Sequence, residues 1–148
     1  MENYKKLYFY LVTFSPKNDE LNSLNLGLFS TKKKANNKIM KSKNLPGFNE
    51  YSIADFKIKK TAVLCSENAE KKKIKYLYWL YSEIDYIDYS EWKDYGYYHL
   101  KKIALNDLKW IINHTRYGKN NKKSFIIDKI KVNLMTCWSE GFIPINDE

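Results

Sequence analysis

The stretch Ser82-Glu83-Ile84-Asp85-Tyr86-Ile87-Asp88-Tyr89-Ser90-Glu91-Trp92-Lys93-Asp94-Tyr95 is chemically the most distinctive part of this sequence: five carboxylates stand against one lysine, interleaved with four large aromatics. Tyr and Trp supply large amphipathic contact area at small entropic cost and are enriched where proteins grip one another. Carboxylates around them steer a basic partner. The candidate partner-binding residues are therefore Asp85, Tyr86, Asp88, Tyr89, Glu91, Trp92, Asp94 and Tyr95, the rings as anchors and the acids as counterparts of lysines or arginines on another protein. A plainer reading is a long hairpin whose acids stay solvated or dock on the protein's own Lys32-Lys33-Lys34 face. Asp85, Asp88, Glu91 and Asp94, at every third position, would line one edge of a helix, but no glycine-bearing calcium loop accompanies them and no metal is expected.

Other reactive groups form no catalytic set. Cys137 with His99 or His114 could be written as nucleophile and base, yet no nucleophile elbow or oxyanion loop is recognisable, and a buried free cysteine is ordinarily a small core residue. Cys65 and Cys137 allow at most one bridge, belong to no C-x-x-C pair, and with two histidines make no zinc spacing. His114 reads as a group at a helix C-terminus. The glycines form no phosphate-cradling pattern, so no cofactor is expected. The alternative chemistry is nucleic-acid binding: Lys32, Lys33, Lys34, Lys38 and Lys41, with Lys43, crowd one predicted helix. Lys57, Lys59 and Lys60 follow, and Tyr8 and Tyr10 would offer stacking surfaces if they face outward. Against this, Arg116 is the sole arginine, and surfaces that read phosphate or bases favour the bidentate guanidinium.

The elements that position these residues must come from a chain of 148 residues, 44% hydrophobic and 29% charged, with 5 Gly and 3 Pro. Its mean hydropathy is −0.62. That composition excludes collagenous and disordered classes and fits one ordinary domain or two very small ones. No apolar run approaches the ~18 residues of a membrane span, and residues 1–15 alternate like a strand rather than a signal peptide, so a cytoplasmic protein is expected. The net charge of +9 is lopsided: residues 1–75 carry 16 basic and 7 acidic groups, residues 76–148 carry 10 of each. The abundance of Lys, Asn, Ile and Tyr also has the look of AT-rich codon usage.

An internal repeat organises the chain. Residues 5–15, from Lys5-Lys6-Leu7 to Thr13-Phe14-Ser15, lie without a gap over residues 72–82, from Lys72-Lys73-Ile74 to Leu80-Tyr81-Ser82. Both read as strands. Gly27-Leu28-Phe29 followed by Lys32-Lys33-Lys34-Ala35 lies over Gly96-Tyr97-Tyr98 followed by Lys101-Lys102-Ile103-Ala104. Ser30 or Thr31 is a good N-cap for the first helix, and an apolar stripe predicts the second over residues 100–113. Pro46-Gly47 stops the first helix. A third strand is expected over residues 51–58, with a bulge near Ala54-Asp55 and a further short strand over residues 61–65; residues 125–132 and 134–137 are their counterparts. The expected fold is α+β, a tandem duplication of a β-β-α-β(-β) unit with antiparallel sheet or sheets and helices on one face of each. Its units are residues 1–68 and 69–148, sharing a core.

Leu26-Gly27-Leu28-Phe29-Ser30-Thr31, Ala35, Leu45-Pro46-Gly47-Phe48, the strand after it and the tail Trp138-Ser139-Glu140-Gly141-Phe142 resemble a family of small bacterial domains of unknown function. The resemblance covers residues 7–60 and 125–143. It implies an α+β fold and a non-enzymatic role; some similar proteins occur beside polymorphic toxin genes, where an immunity function is suspected. The expected function is that of a protein-binding inhibitor that occludes the active site of a cognate toxin or nuclease. A phage-encoded inhibitor of a host defence nuclease presents the same physics.

Overall fold

The computed structural model of the chain describes residues 3–15, 24–45, 48 and 52–134. The architecture is α+β. Its strands are β1 (Tyr4–Phe14), β2 (Leu24–Phe29), β3 (Phe56–Ser66), β4 (Tyr76–Asp85), β5 (Ser90–Tyr98) and β6 (Phe125–Lys131), and its helices are α1 (Lys32–Ser42), α2 (Lys101–His114) and α3 (Arg116–Asn120). The strands form a single mixed sheet in the order β2-β1-β3-β5-β4-β6. Pairs β1/β2 and β4/β5 are antiparallel, whereas β3 runs parallel to β5. Among the described residues no helix is long and apolar enough to cross a membrane.

Contacts divide the chain into two compact units, residues 8–61 with 131–148 and residues 1–7 with 62–130. The first has a phenylalanine core. Phe14, Phe48 and Phe56 meet with ring centroids 5.0–5.5 Å apart, and Val12, Leu26, Phe29, Ala35 and Ile39 complete the cluster. Thr31 starts α1 by accepting the Lys34 amide on its hydroxyl (3.1 Å), one of the donors a helix leaves unpaired at its first turn. Asn133, in the left-handed region at φ 65°, fastens the chain after β6 to β2. Its amide donates to the Leu28 carbonyl (2.8 Å) and its Oδ1 accepts from the Ser30 amide (2.8 Å). Gly27 permits that approach: its φ is +153°, and a Cβ there would fall 2.5 Å from the Leu134 carbonyl oxygen.

Residues 53–55 form a short 3₁₀ turn, and β3 is one continuous strand, where a bulged strand over residues 51–58 and a separate one over residues 61–65 were expected. The reason is local: the Ser52 hydroxyl caps the Ala54 amide (3.1 Å) and the Asp55 carbonyl accepts the Ser15 amide (2.8 Å), which holds the turn out of the ladder. Of the expected strand over residues 134–137, all but Leu134 lies outside the described residues.

The second unit packs α2 on β4 and β5. Leu80, Tyr98, Ile103, Ala104 and Ile111 form its core, with Leu100, Leu108, Phe125 and Ile127 at the margin. This matches the three- and four-residue spacing of the apolar positions in α2. Among the described residues, buried side-chain polar atoms are paired. Tyr98 donates to Asp107 (2.7 Å), Tyr81 to Asp128 (2.8 Å), and the hydroxyls of Ser82 and Tyr117 share a hydrogen bond (2.9 Å). Burial and the adjacent carboxylates raise the phenols of Tyr81, Tyr97 and Tyr98 far above their ordinary value. In the last turn of α2, His114 Nδ1 donates to the Trp110 carbonyl (2.9 Å) and the two rings stack.

Candidate functional site

The acidic aromatic stretch is not a long loop. Strand β4 continues to Asp85, β5 begins at Ser90, and residues 86–89 alone reverse the chain, with the Tyr86 amide donating to the Tyr89 carbonyl (2.7 Å). Neither Ile87 nor Asp88 has positive φ, so the turn lacks the left-handed residues that best match strand twist. Side chains around it make up the difference. Ser90 donates to Asp85 (2.6 Å), Tyr86 to Glu91 (3.4 Å), and the rings of Tyr86 and Tyr89 stack at 4.7 Å. Partial desolvation, then the charge of Glu91, raises the Tyr86 phenol, which stays a neutral donor at neutral pH.

Below the turn, period-two alternation sorts the side chains between two faces. Trp79 and Tyr81 on β4 share a face with Trp92 and Tyr97 on β5. Their rings form a ladder: Tyr97 to Trp79 at 6.0 Å, Trp79 to Tyr81 at 4.0 Å and Tyr81 to Trp92 at 5.1 Å with planes 4° apart. Asp94 fastens the ladder. Its Oδ1 accepts both the Trp79 indole N–H (2.9 Å) and the Gly96 amide (2.9 Å). Trp92 sits at the outer end, 54% exposed, while the tip carries a fully solvated Ile87 with Tyr89 62% exposed. The apolar surface is thus offered on a side-chain framework that is already ordered, which lowers the entropy lost on binding.

The expected anchor set therefore divides. Tyr86 and Tyr89 stand together at the turn and Trp92 on the ladder, with Asp85, Asp88 and Glu91 exposed around them. Asp94 is exposed but serves as a fastener. Tyr95 belongs elsewhere. The register of β4 against β5 shifts between Leu80 and Tyr81, and the unpaired residue opposite that shift is Tyr95, half-buried against Phe125 (5.4 Å) and the α2 core. Trp79 and Tyr81 were absent from the expected set; the signal for them was their two-residue spacing. Asp85, Asp88, Glu91 and Asp94 do not line a helix, and among the described residues no three His, Cys, Asp or Glu side chains could hold a metal ion.

The other expected residues are dispersed. Lys32, Lys33, Lys34 and Lys41 are exposed on α1 and Lys38 is half-buried. Tyr8 is 44% exposed with the Lys60 ammonium 4.6 Å above its ring, whereas Tyr10 packs against the phenylalanine core. Cys65 is fully buried, and burial raises its thiol above the ordinary value, so it remains protonated and unreactive. His99 lies 3.5 Å from the Ser66 hydroxyl, its pKa lowered by burial. Cys137 and the residues 138–142 lie outside the described residues. Comparison with family models, curated proteins and solved structures finds no match to this chain.

Proposed function

We propose that this protein is a non-enzymatic, cytoplasmic binding protein, an immunity-like inhibitor that occludes the active site of a cognate toxin or nuclease with the β4/β5 hairpin. The observation that carries this reading is the exposed trio Tyr86, Tyr89 and Trp92, held by ring stacking and ringed by Asp85, Asp88 and Glu91. Aromatics pre-ordered in this way are what binding hot spots are made of, and the acids complement the lysines and arginines with which a nuclease holds its phosphodiester substrate. The resemblance of residues 7–60 and 125–143 to small bacterial domains, some of them suspected immunity proteins, points the same way. A phage inhibitor of a host defence nuclease would act through the same surface. The test is capture of the partner from the native host with wild-type protein and with Tyr89→Ala/Trp92→Ala, followed by assay of the retained protein's activity. The wild type should retain and inhibit it and the variant should do neither; inhibition by the folded variant at wild-type concentration refutes the reading.

We also propose that the scaffold is a tandem copy of one unit. Gly27 and Gly96 both have positive φ at the end of an antiparallel pair whose register shifts nearby, and each is followed by a helix that opens with lysines and buries its fourth residue, Ala35 or Ala104, completely. The strand order is β2-β1-β3 in one half and β5-β4-β6 in the other.

A second reading, nucleic-acid binding through α1, draws on the exposed Tyr8–Lys60 pair and on Lys32, Lys33 and Lys34 standing in the first turn of α1, where the helix dipole repels cations and an anionic partner would relieve them. A salt titration of binding to single-stranded oligonucleotides tests it, and no binding at low salt removes it.

A further inference from the structure

Among the described residues, one edge of the hairpin has no strand beside it. Strand β5 is hydrogen-bonded to β4 along its whole length from Ser90 to Tyr98, but its pairing with β3 is confined to Val63↔Tyr97 and Leu64↔Tyr98. Along residues 90–95 the side of β5 away from β4 therefore presents backbone N–H and C=O groups, at alternate residues, to no strand among the described residues. Ser90, Glu91, Trp92, Lys93 and Asp94 are all exposed. Where the two strands part, a cleft of about 170 Å³ opens, lined by Lys6, Ala62 and Leu64 on one side and Tyr95, Gly96 and Tyr97 on the other.

Proteins usually guard such an edge with proline or with outward lysines. This one has no proline, and its single lysine, though exposed, leans on two rings: the Lys93 ammonium lies 4.6 Å from the Tyr117 ring and 5.5 Å from that of Tyr95. The remaining guards are Glu91 and Asp94 on the strand, with Glu83, Asp85 and Asp88 close by. They oppose self-association, because a second copy of β5 laid on this edge would bring a second set of the same carboxylates beside the first. The same charges favour an extended segment bearing lysine or arginine. Its backbone would complete the ladder, its cations would lie on the Glu91 face and its apolar side chains beside the Trp92 indole on the other, and strand addition of this kind combines backbone affinity with side-chain selectivity.

Resting on the hairpin reading above, we infer that residues 90–95 of β5 accept a basic, extended segment of the partner protein as an added β-strand. The probe is a peptide of about eight alternating lysine and valine residues, long enough at about 3.3 Å per residue to span the edge. Its alternating glutamate–valine counterpart is the control, and the readout is amide exchange and chemical shift in the isotope-labelled full chain. The expected result is binding of the lysine peptide that weakens with salt, slows exchange at alternate amides within residues 91–95, and falls about tenfold or more in Glu91→Lys, which sets like charges together. Absence of lysine-peptide binding overturns the inference, as does equal protection by the glutamate peptide. Shifts at Tyr89 and Trp92 with no slowed exchange along residues 91–95 also overturn it, yet leave the aromatic anchors standing. The anchors themselves fall only if the Tyr89→Ala/Trp92→Ala protein still inhibits its captured partner.

Discussion

Replacing Trp92 by alanine separates what the hairpin contributes to the fold from what it contributes to binding. Trp92 leaves 54% of its surface in water, so the fold shields roughly half of a side chain whose full burial removes about 150–250 Å². At about 25 cal/mol per Å² the lost burial costs about 2–3 kcal/mol, before the stack on Tyr81 is counted. Against a total stability of about 5–15 kcal/mol, Trp92→Ala is folded at 25 °C but melts about 5–10 °C lower, at about 2–4 °C per kcal/mol for a chain of this size. Near-ultraviolet circular dichroism should lose the contribution of the Trp79/Trp92 pair, whose rings are 6.2 Å apart. Trp92→Phe keeps a ring on Tyr81 and should recover more than half of the lost melting temperature. If Trp92 is also an anchor, partner affinity falls by at least 2 kcal/mol, about 30-fold, at a temperature where the variant is folded. A melting temperature unchanged within error would refute the aromatic ladder, and unchanged affinity in the folded variant would move the interface elsewhere.

The buried phenols set the alkaline limit. Tyr97 and Tyr98 ionise far less readily folded than unfolded, so the unfolded chain loses protons first as pH passes about 10 and stability falls from there upward, by up to about 1.4 kcal/mol per pH unit for each phenol. Urea melts between pH 8 and pH 11 should show this, and Tyr97→Phe or Tyr98→Phe should flatten the slope. Gly27→Ala should destabilise more than Gly96→Ala: both incur the backbone penalty of positive φ, of order 1–3 kcal/mol, but only the first drives a Cβ into the Leu134 carbonyl, whereas the second meets nothing nearer than the Tyr98 hydroxyl at 4.0 Å. Thr31→Ala removes the acceptor of the Lys34 amide and should cost about 1 kcal/mol in denaturant melts.

Periodicity made α2 legible to within a residue at each end, because its apolar positions recur at three and four and the stripe has one face to bury. The hairpin was legible as a surface but not as a shape. Carboxylates interleaved with rings carry no clean alternation, and solvated strands do not announce themselves by burial. The turn also has none of the glycine or asparagine that marks a tight hairpin, its work being done by Ser90, Asp85 and the Tyr86/Tyr89 stack. Tyr95 was grouped with the anchors on composition alone. Gly96 held the correction, since a glycine inside a strand marks a bulge, and one extra residue sends the ring beside it to the other face.

The same one-residue sensitivity governs the proposed repeat. Matching lysine pair to lysine pair without a gap sets Phe9, wholly buried, over Tyr76, 42% exposed. Ladder pairing suggests a match one residue later: Tyr10 faces Phe29 two residues past Gly27, and Tyr78 faces Tyr98 two residues past Gly96. Phe9 then lies over Leu77, Val12 over Leu80 and Phe14 over Ser82, every one of them buried. Residue type favours the first match because lysines and aromatics are abundant throughout the chain, and identity among abundant residues carries little information. Inward or outward direction on a strand has only two values, and a slip of one residue inverts all of them at once. Three concordant burials therefore support the proposed repeat better than the lysine pairs do, and they place the difference between the two strands at Phe14 and Ser82. There one half keeps a ring in a phenylalanine core, and the other has a hydroxyl paired with Tyr117.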